Sequence, residues 1–132
     1  MRQTVDTVLG RKAGADELIT VDAGAMVSEA VQIMAERHIG AVLIKNEDGL
    51  VDGIFTERDL LTRVVNEARD PKLTPISMVM TRSVRFVTPG TTVEAALALM
   101  HMNRHRHMLV IEGPRVFGLL SLRDLAYHLV TH

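Results

Sequence analysis

The chain has 132 residues, 47% of them hydrophobic, a formal net charge of −1 at pH 7 and no cysteine. That length suits one domain or two small halves sharing a core, the missing cysteine excludes disulfides and thiolate metal sites, and the near-neutral charge gives no general attraction to nucleic acid or an anionic membrane. No Trp, one Tyr and three Phe argue against a stacking platform for single-stranded nucleic acid; no apolar run reaches the ~20 residues that span a bilayer, and no basic-then-apolar leader opens the chain, so a cytoplasmic protein is expected.

In chain order, Met1 to Lys12 reads as a leading helix with Val5, Val8 and Leu9 on its apolar side. Glu17 to Val21 reads as a short strand, followed by an Asp22-Ala23-Gly24 turn. Val27, Ala30, Val31 and Met34 then recur at helical spacing. Ala41 to Ile44 is a buried-type strand, and Asn46-Glu47-Asp48-Gly49 is a hairpin turn into a strand that ends near Gly53. A helix follows Thr56. Asn66 to Pro75 is polar and carries Pro71 and Pro75, and residues 66–78 read as a linker.

The same order then returns. Ser83 to Val87 is a strand, Thr88-Pro89-Gly90 a turn, and Val93, Ala96, Leu97 and Met100 mark a helix. Thr91 with Glu94 predicts a capping box at its start. Met108 to Ile111 is a strand, Glu112-Gly113-Pro114-Arg115 a hairpin turn, and a last helix after Ser121 is expected to turn Leu125 and Leu129 inward.

The two halves align. A shift of 66 positions takes Val21 to Val87, Gly24 to Gly90, Ala30 to Ala96 and Leu43 to Leu109; a shift of 65 takes Gly53-Ile54-Phe55-Thr56-Glu57-Arg58-Asp59-Leu60 to Gly118-Leu119-Leu120-Ser121-Leu122-Arg123-Asp124-Leu125. The single-residue difference falls in the hairpin turn, where a true repeat tolerates it. The chain is therefore a duplicated β-α-β-β-α unit of mixed α/β class.

The shared motif carries polar groups at a strand-to-helix junction. Thr56 or Ser121 there can donate to a phosphate oxygen near unpaired helix N–H groups, and Arg58 or Arg123 can add a planar cation. Asp59 or Asp124, three residues on, repels phosphate but can accept from two ribose hydroxyls. The glycine lets backbone approach a ligand closely. Together these suit a nucleoside phosphate. The same Thr-x-x-Asp and Ser-x-x-Asp spacings are also capping boxes that need no ligand, and both readings stand on these residues.

At this point the chain resembles the cystathionine-β-synthase (CBS) domain family. The doubled motif carries the resemblance, with Ile39-Gly40-Ala41-Val42-Leu43-Ile44, Arg106-His107-Met108-Leu109-Val110 and Val79-Met80-Thr81. The resemblance implies two repeats about a pseudo-twofold axis with two clefts: repeat one over 1–65 with its helix 1–12, a linker over 66–78 and repeat two over 79–132, forming one compact module. It implies an adenine ligand (AMP, ADP or ATP, with NAD or S-adenosylmethionine as rivals) and a homodimer of such pairs. Asp59 and Asp124 would hold ribose. Thr56, Ser121, Arg58 and Arg123 would meet phosphate or nearby oxygens. Gly40-Ala41 and Arg106-His107 would line the clefts. Val21-Asp22, Val87-Thr88 and Ile19 would border adenine, and Lys12 would reach a phosphate. The family's frequent late proline in the second strand is replaced by Leu43 and Leu109.

Small, neutral Gly40 and Ala41 stand opposite Arg106 and His107 in the alignment, so the second position is expected to carry more phosphate charge. His101, His105 and His107 lack a recognised metal-ligand spacing, and no metal is expected. No nucleophile with a base and an orienting group is seen, so no enzyme is expected. The readings left open are a regulatory adenine-nucleotide sensor acting on a separate effector protein, an NAD(H)-binding version of it, and a ligand-free interaction module.

Overall fold

The structure, a computed structural model, describes residues 3–11, 19–82, 84–113 and 115–131. Two compact units emerge, one of Ile19–Val84 and one of Met1–Leu18 with Arg85–His132. Each contains a three-stranded sheet of the same topology.

In the first-repeat unit, β1 (Thr20–Asp22) runs parallel to β2 (Ala41–Lys45), which pairs antiparallel with β3 (Val51–Thr56). Helix α2 (Val27–Arg37) is the crossover that a parallel pair requires. It buries Val27, Ala30 and Met34 on one face, as their spacing predicts, against a core that includes Ile44, Phe55 and Ile76. A short α3 (Glu57–Asp59) follows β3 and continues as a π-helical stretch, Leu60–Val65.

The second-repeat unit repeats this plan. β4 (Phe86–Val87) is parallel to β5 (His107–Glu112), which is antiparallel to β6 (Arg115–Ser121). α4 (Val93–Asn103) is the crossover, and α5 (Leu122–Thr131) follows β6. The duplication reaches backbone detail. His38 and Arg104, unlike in chemistry, both end their helices at φ 55° and 54°. Each sheet also has a bulge just before the motif glycine, opposite the step between Ile44 and Lys45 in one and between Val110 and Ile111 in the other. The first hairpin returns from Lys45 to Val51, whereas the second closes on a Glu112–Arg115 pair, so the missing residue does lie in the turn.

Four sequence expectations are altered or refined. First, the leading helix α1 (Val5–Arg11) packs with the second repeat, not with residues 1–65. Its Val5, Val8 and Leu9 join the core of Val93, Met100, Leu120 and Leu125, and Val5 N–H donates to the Thr91 carbonyl at 2.8 Å. Second, residues 66–78, which join the repeats, are packed into the first-repeat unit. α2 begins at Met26 without a side-chain cap, and its orphan N–H groups on Val27 and Ser28 donate to the carbonyls of Thr74 and Pro71, both at 2.9 Å. Ile76 from that segment is fully buried. Third, Thr92 caps α4 by accepting from Ala95 N–H; Thr91 bonds Thr88 instead of forming a box with Glu94. On α5, Leu125 is buried as expected, but His128 rather than Leu129 shares that face, and Leu129 is 53% exposed.

The motif glycines prove to be packing residues. A Cβ on Gly53 would lie 2.6 Å from the Thr81 carbonyl oxygen and 3.0 Å from Met80 Sδ; one on Gly118 would lie 2.9 Å from Leu9 Cδ1. The neighbour is thus another stretch of this chain, not a ligand. Val8-Leu9-Gly10-Arg11 and Val79-Met80-Thr81-Arg82 are themselves related in sequence, so each repeat's glycine receives the same kind of segment. Gly53→Ala is expected to cost about 1–3 kcal/mol because backbone must move, and Gly118→Ala less because a leucine tip can turn aside. Paired denaturant titrations check the order, and equal losses would refute it.

Candidate functional site

In a β-α-β-β-α unit the two parallel strands start where the antiparallel third strand ends. That end of each sheet therefore gathers the strand starts and the strand-to-helix junction. In the first repeat, the Ile19 carbonyl accepts from Leu43 N–H at 3.1 Å, Ala41 pairs with Thr56, and Glu57 N–H donates to the Gly40 carbonyl at 3.0 Å. Ile19, Gly40, Ala41, Thr56, Arg58 and Asp59 are thus brought to one sheet end. Val21 and Asp22 are not. They pair with Ile44 and Lys45, three and four residues along β2 from Ala41 and so roughly 10 and 13 Å away at about 3.3 Å per residue. Val21 is buried in the core, and Asp22 meets Lys45 at 3.8 Å on the surface.

The second repeat is arranged alike. Leu109 N–H donates to the Arg85 carbonyl at 2.9 Å, His107 pairs with Ser121, and Leu122 N–H donates to the Arg106 carbonyl at 2.7 Å. Arg106, His107, Ser121, Arg123 and Asp124 share this end. Val87 is buried opposite Val110, and Thr88 lies in the turn beyond it, so both sit at the far end like Val21 and Asp22. Lys12 lies outside the described residues. Arg85 was missed by sequence reasoning, although the 66-residue shift takes Ile19, a candidate from the family resemblance, straight to it.

Both motifs form capping boxes. Asp59 N–H donates to Thr56 Oγ1 at 3.2 Å, and Asp59 Oδ2 accepts from Thr56 N–H at 3.0 Å and from Thr56 Oγ1 at 3.1 Å. Asp124 N–H donates to Ser121 Oγ at 3.0 Å, and Asp124 Oδ2 accepts from Ser121 N–H at 2.9 Å. Beyond this the repeats diverge. Asp59 is only 6% exposed, its Oδ1 accepts from Thr81 Oγ1 at 3.0 Å, and Arg63 Nε lies 3.7 Å away. Arg63 also donates to the carbonyls of Met80 (2.9 Å) and Val79 (3.4 Å). The second repeat has His128 where Arg63 would fall and Gly10 where Thr81 would fall, and its Asp124 is half-buried.

The charge at the two ends also differs. Arg85, Arg104, Arg106 and Arg123 of the second repeat correspond to Ile19, His38, Gly40 and Arg58 of the first, and Leu122 corresponds to Glu57. All four arginines are exposed. Among the described residues, no group of three His, Asp or Glu side chains could hold a metal ion, and no helix is long and apolar enough to cross a membrane.

Comparison with known proteins agrees with this architecture. The family profile for the CBS domain matches twice, over residues 14–66 and 76–131. A CBS-domain protein of known structure from Burkholderia ambifaria MC40-6 is 35% identical, with a TM-score of 0.92 over 98% of this chain and 95% of that one. The CBS-domain containing protein ATU1752 from Agrobacterium tumefaciens is 31% identical, with a TM-score of 0.87 over 96% of this chain and 93% of that one. Among curated relatives, CBSCBSPB2 of Arabidopsis thaliana is 34% identical over 121 residues, covering 92% of this chain but 23% of its own length. The chain thus spans less than a quarter of that relative. With two profile matches falling on the two sheet-and-helix units, the chain belongs to the CBS-domain family and carries a tandem pair of its repeats.

Proposed function

We propose that this chain is a regulatory module that binds an adenine nucleotide (AMP, ADP or ATP) and passes the effect to a partner by favouring one arrangement of its repeats or its assembly. The single observation that carries this reading is the gathering of Ser121, Asp124 and His107 with Arg85, Arg106 and Arg123 at one sheet end. A half-buried carboxylate suits ribose hydroxyls, and exposed guanidinium groups suit phosphate. A ligand acts as a signal only through unequal affinity for two states, so the assembly matters. A homodimer of pairs is the arrangement proposed; the CBS-CP12 protein from bloom-forming cyanobacteria, 25% identical with a TM-score of 0.83, is hexameric.

One observation favours a second reading, a ligand-free interaction module. Both capping boxes are complete without any nucleotide. A thermal-shift panel on nucleotide-stripped protein separates the two, using AMP, ADP, ATP, NAD, NADH, S-adenosylmethionine and GTP. A ligand at ~100 times its Kd adds about 2.7 kcal/mol, a rise of several degrees in a domain of this size. Adenine compounds are expected to give that rise, GTP is not, and Asp124→Ala is expected to abolish it. A larger rise with NAD than with ATP would move the proposal to the dinucleotide. A flat response throughout would leave the interaction module.

A further inference from the structure

We infer that Phe86 is the surface on which the second-repeat unit stacks the base of its nucleotide. The inference rests on the nucleotide-binding reading above and adds to it a residue that touches the base.

Strand alternation places the ring. Successive side chains of a strand point to opposite faces of the sheet. Val87 of β4 enters the core, as do Met108 and Val110 of β5 and Leu120 of β6. Phe86, one residue before Val87, therefore points to the other face. It pairs with Leu109, and Leu109 pairs with Leu119. His107 and Ser121, paired with each other, lie two residues further along that same face, at the motif end of the sheet. Two strand spacings of about 4.8 Å separate β4 from β6, a gap of about 10 Å. A nucleoside lying over β5 bridges it, with its sugar toward Ser121 and its base toward the ring.

Exposure points the same way. Phe86 is 62% exposed, whereas Phe55 is fully buried and Phe117 packs against the core. One exposed apolar side chain is ordinary by itself. Its place is what gives this one a ligand. Phe86 follows Arg85, whose carbonyl accepts from Leu109 N–H at 2.9 Å and so holds both residues against β5. The ring thus stands beside a cation suited to phosphate. The first repeat has Thr20 at the corresponding position and offers no ring there. A single ring serves one base rather than a strand, and it contributes affinity rather than choice of base, because every base has a π-face.

Titration of the nucleotide-stripped protein with ATP tests this. Phe86→Ala should weaken binding by roughly tenfold or more, the cost of one lost base–aromatic stack. Its fold should be intact, since the side chain is exposed. Phe86→Tyr keeps the ring face and should bind about as tightly as the wild type. The chain has no Trp, so Phe86→Trp introduces a lone indole as reporter. ATP should quench its emission, and inorganic triphosphate, which has no base, should not. Unchanged ATP affinity in Phe86→Ala, equal losses in Phe86→Ala and Phe86→Tyr, or an indole that ignores bound ATP or answers triphosphate equally would overturn the stacking inference while leaving nucleotide binding standing. No binding of ATP, AMP or NAD to the wild-type protein would overturn both.

Discussion

Asp59→Ala is expected to lower the unfolding free energy by about 2–4 kcal/mol, against about 0.5–2 kcal/mol for Asp124→Ala. Both substitutions remove a helix cap. Only the first also strands the Thr81 hydroxyl beside a buried segment and releases the carboxylate that Arg63 faces. Arg63 is itself half exposed, so its ion pair adds little, and most of the difference is assigned to the cap and the Thr81 hydrogen bond. Urea titration reads this as a shift of the midpoint at unchanged slope. Thr81→Val keeps the volume and removes the hydroxyl, and should recover part of the Asp59→Ala loss. Equal destabilisation by Asp59→Ala and Asp124→Ala would show that the Thr81 hydrogen bond contributes nothing to stability.

Replacing Arg85 and Arg106 together by Ala is expected to reduce ATP affinity about 100-fold, from about 1.4 kcal/mol lost per guanidinium. AMP should lose less, because it presents fewer phosphate oxygens to the same cations. Stability should change little, since both side chains are exposed. The wild-type affinity for ATP should also fall with added salt, and the double variant should show a shallower dependence, because exposed charges are screened within about 10 Å at 0.1 M salt. Titrations at low and high ionic strength check both points. An ATP affinity unchanged in the double variant would remove the arginine cluster from the site, and a loss equal for AMP and ATP would limit its reach to the first phosphate.

Some of this was open to view in the chain itself. The 66-residue shift exposed the duplication, and period-3.6 and short apolar runs located the helices and strands, because each repeat buries one helical face on one sheet. The antiparallel return after each hairpin explains why Gly40-Ala41 and Arg106-His107 meet the Thr56 and Ser121 motifs. Placing Val21-Asp22 and Val87-Thr88 in the same group failed for a register reason. A strand has two ends, and apolar pattern does not say which end meets the motif. The parallel pairing of Thr20 with Leu43 puts Asp22 beside the hairpin instead. The final helix misled for a related reason: Leu129 satisfies the spacing, yet the buried neighbour of Leu125 is His128.

Repetition and periodicity are local properties of the residues, and they suffice to establish a doubled β-α-β-β-α chain with a polar motif at each strand-to-helix junction. Which groups surround those motifs depends on how the chain packs. Segments distant in sequence supply the deciding contacts: Thr81 donates to the Asp59 carboxylate, Met80 and Leu9 account for the two glycines, and Pro71 and Thr74 cap α2 in place of a side chain. Two motifs that match residue for residue at Gly, Arg, Asp and Leu thereby acquire different surroundings, because the segments packed against them differ in sequence.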